Sequence, residues 1–341
     1  MWRYILKRFV LMMITTFIIL SLTFILMKMI PFEHPSGTAE TRLPFYMQQV
    51  RLGYMYLVDD PRLSAEVTLQ IGSTTYRFNQ FPVLTQYTSW IKGIFSEWNW
   101  GLSTKIQLNV SAMDIILGRL PYSLRLNIIS VLFAVPLGFV LGITAALNKN
   151  KPIDHIISTG VMIFISIPSF VMITFALIFF SYGLGWLPTQ WPSDGAPLSV
   201  RILGFILPVI SLSFGSIAGF ARYTRAELAE IMSSEFLLLA RTKGLTKTQS
   251  VVRHALRNSL VPIIPMIIGE FVGLLAGSMI LENLYGIPGI GSLFITAIRQ
   301  KDYNVIMVDM AVYTMIGLFA TLLVDLSYGI VDPRIRMGAR K

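Results

Sequence analysis

Residues 9–27 read Phe9-Val-Leu-Met-Met-Ile-Thr-Thr-Phe-Ile-Ile-Leu-Ser-Leu-Thr-Phe-Ile-Leu-Met27, an apolar run interrupted only by threonine and serine. About 20 such residues in an α-helix, at ~1.5 Å each, cross the hydrocarbon core of a bilayer. A secretory signal has a shorter core of roughly 7–15 residues and a small-residue cleavage site. Here Lys28-Met-Ile-Pro31 follows instead. The run therefore predicts a retained first membrane helix, with a cleaved signal as the alternative.

Five further apolar segments predict more membrane helices. They lie at about residues 122–147, 156–182, 202–222, 259–281 and 305–330. Only 13% of the 341 residues are charged and the mean hydropathy is +0.65, whereas soluble domains carry about 25% charged residues. Too few polar side chains remain to cover a water-facing surface. We therefore expect an all-α membrane protein with six transmembrane helices.

Composition also excludes several functional classes. The chain has no cysteine, which rules out disulfides, thiolate metal sites and cysteine nucleophiles. Its three histidines form no His-Glu-x-x-His pair, so a zinc enzyme is not expected. No Gly-x-x-x-x-Gly-Lys-Ser/Thr phosphate loop occurs, so the chain should not hydrolyse ATP itself. We expect no catalytic residue, metal site or cofactor in this chain.

The distribution of basic residues predicts the orientation in the membrane. More than half of the 28 basic residues fall in connections on one side of the predicted helices. They are Arg3, Lys7, Arg8, Lys149, Lys151, Arg222, Arg225, Arg241, Lys243, Lys247, Arg253, Arg257, Arg334, Arg336, Arg340 and Lys341. The positive-inside rule makes this side cytoplasmic, with both termini inside. The net charge of +10 is then explained by basic residues at the cytoplasmic ends of the membrane helices, and a nucleic-acid partner is not needed to explain it.

The opposite side holds one long excursion, residues 31–118, with charges of both signs. Part of it alternates between apolar and polar residues on either side of Gly72-Ser73. Such alternation around a glycine predicts a small β-hairpin. We expect this extracytoplasmic loop to fold on the outer surface, and a loosely ordered linker is the alternative.

The largest predicted cytoplasmic connection, about residues 224–258, contains Glu235-Phe-Leu-Leu-Leu-Ala-Arg-Thr-Lys-Gly-Leu-Thr-Lys-Thr-Gln249. A helix over Glu235–Lys243 fits, with Ser234 as N-cap and Gly244 as a left-handed C-terminal residue. Thr246 and Gln249 form a capping box that starts a second helix. The first helix is unusually apolar for a water-exposed loop. It either packs under its own membrane helices or fits a groove on another protein, and the pattern does not choose.

Several stretches together resemble the permease subunits of ABC importers, and more narrowly the B-type subunit of oligopeptide and dipeptide permeases. The first is the Glu-x-x-x-x-Ala-x-x-x-Gly spacing of Glu235, Ala240 and Gly244, which leads to Arg253-His-Ala-Leu-Arg-Asn258 and Pro262. The others are Arg119-Leu-Pro-Tyr-Ser-Leu124, Ile167-Pro-Ser-Phe170 with Gly185-Trp-Leu-Pro188, Glu282-Asn-Leu-Tyr-Gly-Ile-Pro-Gly-Ile-Gly291 with Asp302-Tyr303, and Leu322-Leu-Val-Asp-Leu-Ser-Tyr328 with Asp332-Pro-Arg-Ile-Arg336. Residues 53–80 look like an insertion relative to that family.

This resemblance implies the six-helix MetI-like permease fold of type I ABC importers, located in the bacterial cytoplasmic membrane. It divides the chain into residues 1–30 with the first helix, the outer loop 31–118 and a permease core 119–341. Its partners would be a second homologous permease subunit, two cytoplasmic ATPase subunits that bind ATP and Mg²⁺, and an extracytoplasmic peptide-binding protein.

The resemblance also assigns site residues. The ATPase-coupling loop would use Glu235, Phe236, Leu239, Ala240, Lys243, Gly244, Arg253 and His254. Glu270, deep in a predicted span, and Glu282 are candidates for the substrate pathway or a subunit interface. The expected function is oligopeptide import.

Two kinds of alternative remain. The same machinery could import dipeptides, nickel chelates or glutathione. An ion-coupled secondary transporter is a different class, but it predicts inverted repeats and broken helices with midplane carboxylates. The sequence shows no such repeat.

Overall fold

The computed structural model describes residues 2–30, 34–60, 62–275 and 278–331. The helices are α1 (Trp2–Lys28), α2 (Ala39–Arg51), α3 (Val83–Glu97), α4 (Ala112–Leu147), α5 (Pro152–Ser166), α6 (Ser169–Ala176), α7 (Leu198–Met232), α8 (Glu235–Thr242), α9 (Lys247–Ser250), α10 (Leu256–Leu275), α11 (Met279–Tyr285), α12 (Ile290–Gln300) and α13 (Tyr303–Val331). The strands are β1 (Met55–Leu57), β2 (Val67–Ile71) and β3 (Thr74–Gln80). The motif at residues 332–336 and the basic residues of the C-terminal tail lie outside the described residues.

Five helical stretches of the described chain are long and apolar enough to cross a membrane, and a bent helix pair raises the number to six. The five are Ile5–Lys28, Ala112–Leu147, Leu198–Met232, Thr248–Phe271 and Tyr303–Ser327. The prediction of a helical protein with six apolar spans is confirmed in this form.

The bent pair corrects the continuous segment predicted at residues 156–182. Helices α5 and α6 meet at an angle of 98°. The break falls at Ile167-Pro168, where Ile167 is extended with φ −99° and ψ 117°. Proline lacks a backbone N–H and disfavours helical geometry in the preceding residue. After α6 the chain continues as a π-helical segment, Leu177–Gly183.

The segment predicted at residues 259–281 is also divided. Helix α10 ends at Leu275, and the separate short helix α11 begins at Met279. Helix α11 ends at Tyr285, and its C-cap residue Gly286 has a φ of +71°. This is the left-handed conformation that glycine adopts without strain.

The chain forms two compact units. The first contains Met1–Arg8, Arg119–Leu293 and Met315–Lys341, and the second contains Phe9–Gly118 and Phe294–Thr314.

Within the first unit, α4 and α7 approach closely at a pair of glycines. A Cβ atom at Gly138 would lie 2.5 Å from the Cβ of Phe220, and one at Gly142 would lie 2.6 Å from the Cβ of Thr224. Small residues spaced by four positions let membrane helices bring their backbones together. Any larger side chain at either glycine would separate the two helices.

An ion pair joins α5 to α7 in the same unit. The Arg225 guanidinium donates from Nε to Asp154 Oδ1 at 2.5 Å and from Nη2 to Oδ2 at 2.7 Å. The backbone N–H of Asn150 and the hydroxyl of Ser158 also donate to Asp154, at 2.9 and 3.2 Å. The buried carboxylate is therefore fully paired, as a buried charge must be.

The second unit contains an antiparallel sheet with strand order β1-β3-β2. Strands β2 and β3 form the predicted hairpin, with Ile71 opposite Thr74 and Gly72 at φ +60°. Strand β1 adds a third strand that the alternation did not predict. Tyr46 of α2 stacks on Phe78 of β3, with ring centroids 5.2 Å apart. The excursion is therefore a folded element with its own core.

A buried carboxylate holds the end of this excursion in place within the second unit. The side chain of Asp302 accepts hydrogen bonds from the Ser103 hydroxyl at 2.6 Å and from the backbone N–H groups of Thr104, Lys105 and Ile106 at 3.0–3.1 Å. Several converging donors stabilise an ionised carboxylate away from water. The turn at residues 103–106 is thereby held against the start of α13.

Candidate functional site

The connection between α7 and α10 holds the residues predicted to couple to a partner. Helix α8 begins at Glu235, and Ser234 occupies the N-cap position with extended backbone angles. The Ser234 side chain does not cap the helix, which corrects the prediction. Its hydroxyl donates to the carbonyl of Ile231 at 2.6 Å instead. The helix ends at Thr242, one residue before the predicted end, and Lys243 is its C-cap.

The turn after α8 follows the predicted geometry. Gly244 has a φ of +91°, which L-residues with a side chain rarely adopt. The backbone N–H of Thr246 donates to Gln249 Oε1 at 3.1 Å, and that of Gln249 donates to Thr246 Oγ1 at 3.2 Å. These reciprocal bonds form the predicted capping box. Helix α9 follows, then a π-helical segment, Val251–Ala255, that leads into α10.

Helix α8 divides its apolar side chains between two environments. Leu237 is 1% exposed, and Ala240 is also buried. Leu237 belongs to an apolar cluster with Leu228 of α7 and Val251 and Ala255 of the π-helical segment. This face anchors α8 to the helices on either side of the connection.

The opposite face of α8 is an apolar surface within the described chain. Phe236, Leu238 and Leu239 are 50%, 63% and 55% exposed. We call these three residues the α8 apolar face. The two alternatives predicted for this helix thus apply to different sides of it. One side packs under the protein's own helices, and the other side is exposed and could fit a groove on another protein. Leu238 was not among the predicted site residues, because a row of consecutive leucines does not reveal which ones face inward.

The other predicted coupling residues surround this helix. Phe236 contacts His254 edge-on, with ring centroids 5.8 Å apart. Glu235, Lys243, Gly244 and Arg253 are exposed. The structure thus gathers the predicted residues in one connection and presents charged side chains of both signs beside the α8 apolar face.

The two predicted glutamates lie elsewhere. On α10, Glu270 accepts a hydrogen bond from the hydroxyl of Ser216 of α7, so its carboxylate faces a neighbouring helix. Glu282 on α11 is fully buried within the first unit. A role for either residue in a pathway or an interface stays a prediction.

Glu282 is the centre of a buried hydrogen-bond network. Ser123 of α4 donates its hydroxyl to Glu282 Oε1 at 2.8 Å, and the backbone N–H of Ser292 donates to Oε2 at 3.1 Å. A Cβ atom at Gly289 would lie 2.3 Å from both Glu282 Oε2 and Ser123 Oγ, so only glycine fits there. Burial raises the pKa of the Glu282 carboxyl above its ordinary value, although these donors oppose that shift. The Glu282–Gly291 motif therefore holds α11, α4 and the start of α12 together by buried hydrogen bonds inside the first unit.

Sequence reasoning missed the Asp154–Arg225 pair and the environment of Asp302. Both pairings join residues far apart in the chain, so no local spacing indicates them. The available signal was Asp154 itself, a carboxylate in the first turn of an apolar helix. Such a residue needs a partner, but the sequence does not name it.

Together these features define a multi-pass membrane protein that presents an anchored amphipathic helix between two of its spans. Residues 138–337 match the family described as the inner membrane component of binding-protein-dependent transport systems. The chain belongs to this family.

Full-length relatives support the assignment. The chain is 35% identical to the dipeptide transport system permease protein DppB of Lactococcus lactis, over 99% of this chain and 100% of the relative. It is 32% identical to the oligopeptide transport system permease protein OppB of Haemophilus influenzae, over 98% and 100%. The solved structure of the inward-facing methionine ABC transporter MetNI matches with 19% identity and a TM-score of 0.46, over 66% of this chain and 96% of that chain.

Family membership establishes the coarse biology of the chain. It is a multi-pass inner-membrane permease of the ABC importer class. It acts within a transporter complex that includes ATPase and substrate-binding partners.

Proposed function

We propose that this chain is one of two permease subunits of an ATP-driven importer of oligopeptides. The observation that carries the proposal is the match to DppB and OppB permeases over essentially the whole length of both chains. A match of this extent includes the outer segment as well as the membrane helices. The ion-coupled alternative has no support from these relatives.

In the proposed assembly, a second homologous permease pairs with this chain and two ATPase subunits bind from the cytoplasm. ATP and Mg²⁺ are held by those ATPases, since this sequence has no phosphate loop. An extracytoplasmic binding protein delivers the peptide to the outer face. Both termini and the connection between α7 and α10 lie in the cytoplasm, because the basic residues concentrate there.

Helix α8 is the proposed coupling element. Its apolar face, Phe236, Leu238 and Leu239, fits a groove on the ATPase in the manner of an amphipathic helix bound to a hydrophobic cleft. The buried side of α8 packs on α7 and on the segment that leads into α10. Movement of the ATPase groove would therefore be transmitted to two membrane helices through close-packed side chains.

The test is peptide uptake by cells that lack this gene and carry it on a plasmid. The native chain should restore uptake of labelled tri- and tetrapeptides. The F236A/L239A variant should be present in the membrane but should lose co-purification with the ATPases and most of the uptake. L198A is the control, since Leu198 is also an exposed apolar residue and lies at the other end of α7.

The same uptake assay also tests the alternative substrates. Restoration of nickel or glutathione uptake without peptide uptake would replace the proposed substrate. Dipeptide uptake that exceeds uptake of longer peptides would narrow the proposed substrate class to dipeptides. Recovery of this chain without any ATPase partner would contradict the ATP-driven mechanism.

A further inference from the structure

The second unit contains a cavity of about 690 Å³ that the coupling mechanism does not use. It is lined by the end of α1, by α2 and α3, by the turn at residues 103–109 and by the start of α13. Its volume falls within the roughly 300–1,000 Å³ typical of small-ligand sites. The described residues that line it all belong to the second unit. We call it the outer cavity.

The charged side chains among the described lining residues of the outer cavity are basic, and the nearby Asp302 carboxylate is already bonded to the Ser103 hydroxyl and to backbone N–H groups. Three lysines line the cavity, Lys28, Lys105 and Lys301, and no aspartate or glutamate is among its described lining residues. Lys28 lies over the ring of Tyr54, with Nζ 3.9 Å from the ring centroid. Contact with a ring face attracts an ammonium group but does not neutralise it. The cavity therefore favours an anionic group.

The polar lining also points to a ligand. Gln49 is 6% exposed, and its side-chain amide makes no hydrogen bond with the described residues. Gln48 and Gln86 donate their amide N–H groups to the carbonyls of Leu102 and Phe81, at 3.2 and 2.7 Å. Their amide oxygens accept no hydrogen bond from the part of the chain that the structure describes. These amide groups line the cavity, so they are available to hydrogen-bond an occupant that supplies both donors and acceptors.

Aromatic side chains form part of the lining of the outer cavity. Phe24 stacks on Trp90, with ring centroids 4.9 Å apart, and both lie in the lining with Tyr54. Lysines suit a carboxylate, glutamine amides suit peptide groups, and aromatic rings suit apolar side chains. A fatty acid would satisfy the lysines and the rings but would leave the amides unpaired.

From this combination we infer that the outer cavity binds the carboxylate end of a short peptide. This site rests on the proposed function and deepens it, since the permease would then hold peptide on its outer side independently of the binding protein. The carboxylate lies toward Lys28 and Lys105, and the peptide groups pair with the glutamine amides.

The test uses the full importer complex in nanodiscs of zwitterionic lipid, without the binding protein. Because this chain has no cysteine, L108C gives it a single thiol, and Leu108 lines the cavity. The same complex without L108C gives the background from any thiols of the other subunits. An environment-sensitive maleimide dye attached there reports occupancy. The ligands are trialanine, trialanine amide and dodecanoate. Trialanine should give a saturable signal, and the amide should bind about tenfold more weakly because the charge-assisted contacts are lost.

Lysine variants locate the binding. In the labelled L108C background, K28M and K105M should each weaken trialanine binding about tenfold and reduce the preference for the acid over the amide. K105M is the safer variant for folding, because Lys105 is exposed and its fixed contact to Asp302 is made by the backbone. K92M is the matched control, since Lys92 is an exposed lysine of α3 outside the cavity. It should bind trialanine like the native chain.

The inference is overturned if trialanine gives no saturable signal, if the amide binds equally well, or if K105M and K92M behave alike. A signal from dodecanoate alone would assign the cavity to lipid. Peptide uptake by proteoliposomes with the binding protein added tests the proposed function separately. Uptake without cavity binding rejects only this inference, and cavity binding without uptake rejects only the proposed function.

Discussion

At the scale of single residues, Glu282 shows how a buried carboxylate holds a turn together. Its partners come from α4 and from the start of α12, and its side chain has no exposed surface. Glu282→Ala would leave the Ser123 hydroxyl and the Ser292 N–H without an acceptor. Each buried donor without a partner costs about 1–3 kcal/mol. We expect a clearly lower thermal unfolding temperature in detergent, whereas E230Q, at an exposed site, should leave it unchanged.

The pH dependence of the same site follows from its raised pKa. Burial disfavours the ionised form of Glu282, so the folded state binds this proton more tightly than the unfolded chain does. This contribution to stability is present at low pH and is lost as the pH rises from about 4.5 through the raised pKa. Glu282→Gln stays neutral, so its unfolding temperature should fall less between pH 5 and pH 8. Equal slopes for the two proteins would contradict this assignment.

The Asp154–Arg225 pair predicts that arginine and lysine are not interchangeable. Arg225→Ala would leave the Asp154 carboxylate without its cation. Because the Arg225 side chain is 33% exposed, the cost should be below the about 3–5 kcal/mol of a fully buried pair. Arg225→Lys keeps the charge but loses the bidentate contact with Asp154. Its free energy of unfolding should therefore lie between those of the alanine variant and the native protein. Unfolding in detergent followed by intrinsic fluorescence measures the differences. Arg222→Ala, at an exposed site on the same helix, is the control and should have little effect.

At the scale of elements, the two faces of α8 have different roles: the buried face contributes to stability, and the exposed face is proposed to couple to the ATPase. Leu237→Ala removes a buried side chain from the cluster with Leu228 and Val251, and should destabilise the protein by about 2–5 kcal/mol. The F236A/L239A variant removes exposed side chains, so its unfolding temperature should stay near that of the native chain. Its peptide-stimulated ATPase activity in the assembled importer should fall at least about tenfold, since an apolar anchor in a groove carries most of its contact energy. Native activity in that variant would reject the coupling role.

The limits of sequence reasoning are clearest in α8 and at Pro168. Capping rules located both ends of α8 within one residue, because caps act over a few neighbouring positions. They did not show that the hydroxyl of Ser234 turns back to Ile231. The proline at position 168 was visible, but a bend of 98° was not. Membrane helices tolerate many prolines, as in α4 and α10, and the surrounding helices decide which one breaks the chain.

At the scale of the whole molecule, the absence of cysteine makes the orientation directly measurable. In cells with an accessible inner membrane, a membrane-impermeant maleimide should label L84C, in the outer segment, without permeabilisation. It should label K149C, between α4 and α5, only after the membrane is opened. Both positions are exposed, and the unmodified chain is a blank control. Labelling of K149C in sealed cells would contradict the orientation proposed from the basic residues.

The sequence by itself determined the class of the protein. Apolar runs of membrane length, a low content of charge and a one-sided concentration of lysine and arginine are properties of composition and order along the chain. They predicted the spans, and local spacing predicted the β2–β3 hairpin, the capping box and Gly244. The family motifs added the permease class, which full-length relatives confirmed.

Only the tertiary structure decided which side chains meet. It paired Asp154 with Arg225, surrounded Glu282 and Asp302 with donors, and turned Leu237 inward while leaving Phe236, Leu238 and Leu239 outside. It also assembled the outer cavity from segments as distant as α1 and α13. These contacts join residues many positions apart, and their free energy depends on packing and on exclusion of water. Local pattern contains neither quantity, so the sequence gives the list of groups and the fold decides their partners.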